Sequence, residues 1–295
     1  MRTVRSWIVW ILPVDTAGFG GMRTPPKKSA DEQPPEVTGR ETRTAMLERA
    51  VRKHVPVRKD FVQAPSGGVS RHGPLKEFVT KGDLRGLRGF LIVVACCSAP
   101  NEKNGVYDTT HDSAVWARLL DTNVAATDQA ARTAAWRTLQ RLQDRGLIRC
   151  TRTRGSTMIT VALLREDGSG LEYTRPDGKI AADRFINIPN AFWTKGYDEV
   201  IDVPGLAMFL TVAREKQWSS FTADKAPEWY GWSPDTHLRG LQKLLGLGLV
   251  ERRATYRKTP LSPTGTTLIY QYRLVAGMRP RRAKATMPAA VKSGT

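Results

Sequence analysis

The chain has 295 residues, room for two domains, and its 40% hydrophobic content is enough for real cores. A formal net charge of +18 points to a polyanion as partner. Three cysteines, Cys96, Cys97 and Cys150, exclude a disulfide framework, so a reducing cytoplasm is the expected setting.

The first apolar run, Trp7–Val14 behind Arg2 and Arg5, is too short to span a bilayer, and Val14–Gly21 offers no clear A-x-A cleavage site. Met22 begins an ordinary polar segment, so the start at Met1 and a start at Met22 both stay open. Residues 1–40, Pro-rich and charged over 23–40, read as a disordered tail. Residues 41–80 read as a helical arm and linker. Met46, Leu47, Ala50 and Val51 have helical spacing within Glu41–His54, and Val55–Gly73 reads as irregular around Pro56, Pro65, Gly67 and Gly68.

A first domain is expected over 81–165. Leu84–Ala99 is a strongly apolar first helix, with Cys96 and Cys97 as core residues, and Asn101–Tyr107 is a loop. Asp112 or Ser113 can cap a short helix through Leu120, and Thr127 or Asp128 the next, to about Arg145. Gly146 supplies a left-handed exit, and Arg149–Arg154 and Ser156–Leu164 form a hairpin. Residues 166–200 are a connector carrying the short strand Phe185–Pro189 and a turn of helix at Ala191–Trp193.

A second domain is expected over 201–275. Val203–Lys216, opened by Pro204, is its first helix, and Asp224–Tyr230 its short second one, with Pro227 an imperfect fit. Ser233-Pro234 caps the third, which ends near Gly246–Gly248. Leu249–Lys258 and Thr266–Leu274 form a second hairpin around Thr259–Gly265. Residues 276–295, with five basic residues and no acid, read as a basic disordered tail.

One phrase is written twice. Residues 134–148 (A-A-W-R-T-L-Q-R-L-Q-D-R-G-L-I) return 102 residues later at 236–250 (T-H-L-R-G-L-Q-K-L-L-G-L-G-L-V). Arg137, Leu139, Gln140, Leu142, Gly146 and Leu147 recur as Arg239, Leu241, Gln242, Leu244, Gly248 and Leu249. Such a repeat is most simply one domain used twice. The expected fold class is α+β: two winged helix-turn-helix domains in tandem with disordered tails.

These parts suit duplex DNA. A helix fits the major groove, where guanidinium bonds guanine O6/N7 and Gln pairs with adenine N6/N7. On helix 127–145 the core face is Ala135, Leu139 and Leu142. Gln129, Arg132, Thr133, Trp136, Arg137, Gln140 and Arg141 are left outward. Arg149, Arg152 and Arg154 in the hairpin can follow phosphates or enter the minor groove. The bland alternative is a solvated basic face. The second copy offers Thr236, Arg239, Gln242 and Lys243, with Arg252, Arg253, Arg257 and Lys258 in its hairpin. Asp235 there repels phosphate unless it reads a cytosine amine. His237 takes the inward place of Ala135 and reads as a packed core histidine. Leu245 and Leu247 keep open a protein partner or self-association through this domain. Tandem domains on one chain also raise each other's effective concentration.

The pattern R-x-L-Q-[RK]-L-x-x-x-G-L-[IV] before a basic hairpin resembles the winged-helix superfamily. W-A-R-L-L-D, the phrase at 132–148, L-L-R-E-D-G-S-G-L-E-Y and A-P-E-W-Y-G-W-S-P-D-T resemble uncharacterised two-winged-helix proteins of actinobacteria. F-I-N-I-P-N-A-F-W through V-P-G-L-A-M-F-L-T-V-A is similar to the opening of winged-helix domains in plasmid replication initiators. The resemblance covers roughly residues 80–275. It implies sequence-specific double-stranded DNA binding by a plasmid or mobile-element replication initiator or regulator. A chromosomal transcription factor is the alternative, and an RNA-binding or structural role the alternative of another class. The expected location is cytoplasmic, on nucleoid or plasmid, with no membrane partner.

No catalytic role is expected. No G-x-x-x-x-G-K-[ST] loop appears. His54, His72, His111 and His237 are scattered, and the cysteines do not make a zinc site, so neither metal nor cofactor is expected. Asp198, Glu199 and Asp202 read as the N-terminus of the helix that follows. Trp229, Tyr230 and Trp232 read as packing residues rather than as a stacking surface for RNA.

Overall fold

The computed structural model describes residues 35–65 and 70–279. The segment before residue 35, with Trp7–Val14 and both candidate start methionines, lies outside the described residues, as does the basic stretch after residue 279. The described chain is mixed α+β, and its described residues from Val37 to Arg279 belong to one compact unit.

Thr38 opens α1 (Gly39–Arg49) with a reciprocal cap. Its hydroxyl accepts from the Glu41 amide, and the Glu41 carboxylate accepts from the Thr38 amide at 2.8 Å. The ordered helix therefore starts inside the segment expected to be a disordered tail, and it stops at Arg49 rather than His54. The next stretch is not irregular as expected. The β-branched run H-V-P-V-R forms β1 (His54–Arg58), whose Val55 and Val57 are buried. A one-turn 3-10 helix at Lys59–Phe61 follows, then α2 (Leu75–Thr80).

The first repeat unit begins with α3 (Leu84–Cys96). Then come β2 (Asp108–Asp112), α4 (Ser113–Leu119), α5 (Asp128–Asp144), β3 (Ile148–Thr151) and β4 (Met158–Leu163). Asp112 and Thr127 cap α4 and α5 as anticipated. The strand β2 falls just after the predicted loop and was not expected. It pairs antiparallel with β4, so the sheet runs β2-β4-β3.

Between the units lie β5 (Phe185–Pro189), α6 (Ala191–Thr194) and α7 (Tyr197–Val200). The second unit is α8 (Val203–Arg214), β6 (Ser219–Ser220), a 3-10 turn at Ala223–Lys225 leading into α9 (Ala226–Trp229), α10 (Pro234–Gly246), β7 (Val250–Lys258) and β8 (Thr266–Leu274). Its sheet runs β6-β8-β7. Each unit thus has the same element order, and each sheet places the first strand beside the third. The chain after β8 makes a further turn at Ala276–Met278, where Met278 is buried and Arg279 donates to the Leu274 carbonyl at 2.6 Å. Those residues belong to the fold rather than to the expected tail.

The correspondence extends to hydrogen bonds. Asp83 caps α3 by accepting from the Gly86 amide, and Asp202 caps α8 by accepting from Gly205. Each such cap stabilises its helix by about 1 kcal/mol. At the far end of α5, Gly146 has φ 67° and the Leu147 amide reaches back to the Leu142 carbonyl. At the end of α10, Gly248 has φ 64° and Leu249 reaches back to Leu244. Both helices close with the same glycine-dependent turn. Both then bury Leu147 and Ile148, or Leu249 and Val250, beneath the hairpin.

The arm and connector are built into the core. β1 and β5 pair antiparallel, His54 to Pro189 and Arg58 to Phe185. Arg58 is fully buried. Its Nη1 meets Glu166 Oε2 at 2.5 Å, its Nε meets Asp183 Oδ1 at 3.0 Å, and its Nη2 donates to Thr174. Three points of the Gly- and Pro-rich connector are thereby pinned to β1. α2 packs on both α3 and α8. Beside it, Gln63 donates to the Trp229 carbonyl at 3.2 Å and Lys59 to the Arg214 carbonyl at 2.5 Å. The two units are joined by packed side chains, not by a flexible tether.

Candidate nucleic-acid interface

Helix α5 has a buried face and a wet one. Ala131, Ala135, Thr138, Leu139 and Leu142 are buried against the first core. Gln129, Arg137, Gln140 and Arg141 are exposed, and Arg132 and Thr133 partly so. The spacing of Gln129, Arg137 and Gln140, with Arg132 and Thr133 between, lays one ridge along the helix. Trp136, expected to face outward, is instead partly buried against the core. The Thr133 hydroxyl donates to the Gln129 carbonyl at 2.8 Å, so it is occupied within the helix.

The arginines of this face divide by partner. Arg145 and Arg141 both reach Asp83, at 2.7 and 3.3 Å, and Arg145 lies over the Phe78 ring at 4.1 Å. Burial works against the Asp83 charge. The bonds from Arg145, the Gly86 amide and Arg141 outweigh it and hold the carboxyl below its usual range. Arg141 therefore ties α5 to the start of α3 while staying half exposed. Lys243, its equivalent, lies against Gly205 in the first turn of α8. Arg137 has no such tie to α3.

The first hairpin is short. Arg149, Arg152 and Arg154 are all exposed, with the Arg152 Nε held by the Ser156 carbonyl at 2.8 Å across the turn. Asp112, which starts α4, lies close enough to Arg132 for that charge to lower its carboxyl, after the larger contributions of bonds from Thr157 and the Ala114 amide.

On α10, Arg239 and Gln242 are exposed, and Thr236 and Lys243 half so. Arg239 is engaged with Asp235 one turn earlier at 2.9 Å. The Ser233 cap accepts from the Thr236 amide at 3.1 Å. His237 is fully buried, neither ring nitrogen has a protein partner, and burial pushes its pKa down to about 4. It stacks near Tyr230 at 6.2 Å, a neutral core group as expected. Gly240 lets α10 approach α8 closely: a Cβ there would sit 2.3 Å from the Pro204 carbonyl oxygen. Leu245 and Leu247 are partly buried against the core, and Leu238 is the exposed leucine of this helix.

The second hairpin is longer, with nine residues in each strand. Arg252, Arg253, Arg257 and Lys258 are all exposed. Arg253 and Arg273 both lie against the Trp218 ring, at 4.4 and 4.3 Å, and Arg273 and Arg279 neutralise Glu251. Trp218 carries no recognisable signal in the sequence, because the stacking depends on pairing across β7 and β8.

Asp202 does cap α8, but Asp198 and Glu199 form ion pairs. Arg43 of α1 is buried among Asp121, Asp198 and Glu199 at 2.7, 2.9 and 3.0 Å, with Arg40 and Arg88 adding further pairs. Burial raises the Asp198 pKa to about 6 against the opposing pull of Arg43 and Arg88. Among the described residues no group of His, Cys, Asp and Glu is arranged to hold a metal ion. No helix among them is long and apolar enough to cross a membrane. Burial lifts the Cys96 thiol to about 12, so it is an inert packing group.

Comparison of the chain with protein-family models, with curated proteins and with solved structures returns no match.

Proposed function

We propose that this chain is a sequence-specific double-stranded DNA-binding protein built from two winged helix-turn-helix units. The observation that carries the reading is the shared order of parts. Each unit runs helix, strand, helix, helix, hairpin, with its first strand beside its third and exposed basic residues along the hairpin. In such units the third helix enters the major groove and the hairpin flanks it. The exposed Gln129, Arg137 and Gln140 of α5 have the chemistry to read guanine and adenine edges. Arg132 lies beside them, and Arg149, Arg152 and Arg154 suit phosphates or a narrow minor groove.

The biological role we propose is replication initiation or regulation on a plasmid or mobile element. It is supported by the resemblance of the segments around β5 and α8 to initiator domains. A first test is selection of bound duplexes from a random pool, followed by anisotropy titration. Enrichment of one motif, with weaker and less selective binding after Arg137→Ala and Gln140→Ala, supports the reading. No enrichment, or equal binding by the variant, overturns it. Recovery of bound genomic DNA then separates repeated sites at one origin from dispersed promoter sites.

A further inference from the structure

Register sorts the second hairpin into two unlike faces. Directly opposed residues of an antiparallel pair share a side. One face therefore runs Val250/Leu274, Arg252/Tyr272, Ala254/Tyr270, Tyr256/Leu268 and Lys258/Thr266. Its inner end is core: Val250, Leu274 and Tyr272 are buried. The ribbon then continues past the helices that cover it, for roughly 27 Å in all at the usual rise per residue. On that outer part Tyr256 is 73% exposed, and Tyr270 and Leu268 are each 45% exposed. Tyr256 and Tyr270 are diagonal neighbours on one side of the ribbon. Arg252 lies over the Tyr270 ring at 4.7 Å, and Lys258 ends the row. At the tip, Leu261 is fully exposed.

Leaving two tyrosines and a leucine together in water forgoes burial that the rest of the sheet achieves. The charge around them narrows what could cover them. From Arg252 to Leu274 there is no acidic residue; Arg252 and Lys258 share the face of the tyrosines, Arg253 and Arg257 lie on the opposite face, and Arg273 there is paired with Glu251. A second copy of this ribbon would bring like charges together. A partner with flat π-faces and a regular negative charge satisfies both the rings and the cations, and unpaired nucleic-acid bases on a phosphate backbone are that partner.

Resting on the nucleic-acid reading proposed above, we infer that the outer face of β7 and β8 is a stacking site for an unpaired DNA strand. Tyr256 and Tyr270 take bases, and Arg252 and Lys258 take the flanking phosphates. This differs in kind from groove reading by α5, since stacking tolerates any base and needs the strand to be open.

The test uses the full chain, a labelled twelve-nucleotide oligo-dT, an abasic strand of equal length and charge, and the selected duplex. The wild type should bind oligo-dT more tightly than the abasic strand. Tyr256→Ala with Tyr270→Ala should weaken oligo-dT binding by roughly ten-fold per ring, leaving abasic binding nearly unchanged. Tyr256→Phe with Tyr270→Phe should restore it, because the ring and not the hydroxyl stacks. Duplex binding should survive the tyrosine changes and fail with Arg137→Ala and Gln140→Ala. Equal affinity for oligo-dT and abasic strand, or no loss on removing the rings, overturns the stacking site while leaving the duplex reading standing. A sedimentation shift from dimer to monomer in the alanine variant, with oligo-dT binding intact, assigns the face to a second copy and also overturns it. A chain that binds neither duplex nor single strand overturns both readings.

Discussion

The two units share a scaffold and spend their surface differently. In the first, the basic groups lie on the helix and a short hairpin, and Arg137 projects from α5 with no tie to the neighbouring helix. In the second, Arg239 is occupied by Asp235, Gly240 draws α10 closer to α8, and the hairpin is the prominent feature. The comparison teaches that keeping the capping aspartate, the closing glycine and the core leucines preserves the frame. The outward positions between them are then free to diverge.

The largest expected effect tests whether the units are independent. Glu166→Ala leaves the fully buried Arg58 without its closest carboxylate and should cost about 3–5 kcal/mol. If the arm and connector make one cooperative body, hydrogen exchange will report loss of protection in both units together. Loss confined to the first unit would show that they unfold separately.

A second prediction exploits His237, which has only an alanine as its counterpart. Its pKa is lowered from 6.5 to about 4, so the unfolded chain binds a proton that the folded chain refuses. The stability contributed is whole above pH 6.5 and falls as pH drops toward 4, by about 3 kcal/mol over that window. Denaturant titration across this range should show the fall, and His237→Leu should remove most of it. An unchanged slope in the variant would place the proton uptake elsewhere.

The duplex contacts should rank next. Arg137→Ala is expected to lose about 1–3 kcal/mol of affinity for the selected site and to relax base preference. Arg239→Ala, already paired on its own helix, should lose less than about 1 kcal/mol. The reverse ranking in anisotropy titrations would make α10 the principal reader. The smallest effect is Arg154→Ala, which should weaken all duplexes alike and reduce the salt slope by about 1. A shift in preferred sequence would instead assign the first hairpin to base reading.

Much of this frame is legible in the chain. Asp112 or Ser113, Thr127 or Asp128, and Ser233 are readable as caps because capping is local chemistry, and Gly146 because a left-handed exit demands glycine. The strands β1, β2 and β6 are not. β2 is the polar run Asp108–Asp112 with no apolar alternation, and β6 has two residues. Their partners lie far along the chain, at β4 and β8. β1 hid behind Pro56, which sits tolerably in a two-stranded ribbon. The same limit applies to the candidate site. Arginines and glutamines on α5 follow from helical period, but their competition for Asp83 is a tertiary matter. The shared face of Tyr256 and Tyr270 requires the β7–β8 register, which the letters do not state.

The pairing of β1 with β5 also sets a timetable. Residues 54–58 leave the ribosome well before residues 185–189 exist, and everything from 59 to 184 must be made in between. At ordinary synthesis speeds that wait is on the order of ten seconds. Throughout it Val55 and Val57 lack their strand partner and the Arg58 guanidinium waits for Glu166 and Asp183. The nascent chain thus closes its central ribbon only after the whole first unit has been made, so the first unit is enclosed at birth by the segments that later bind it to the second.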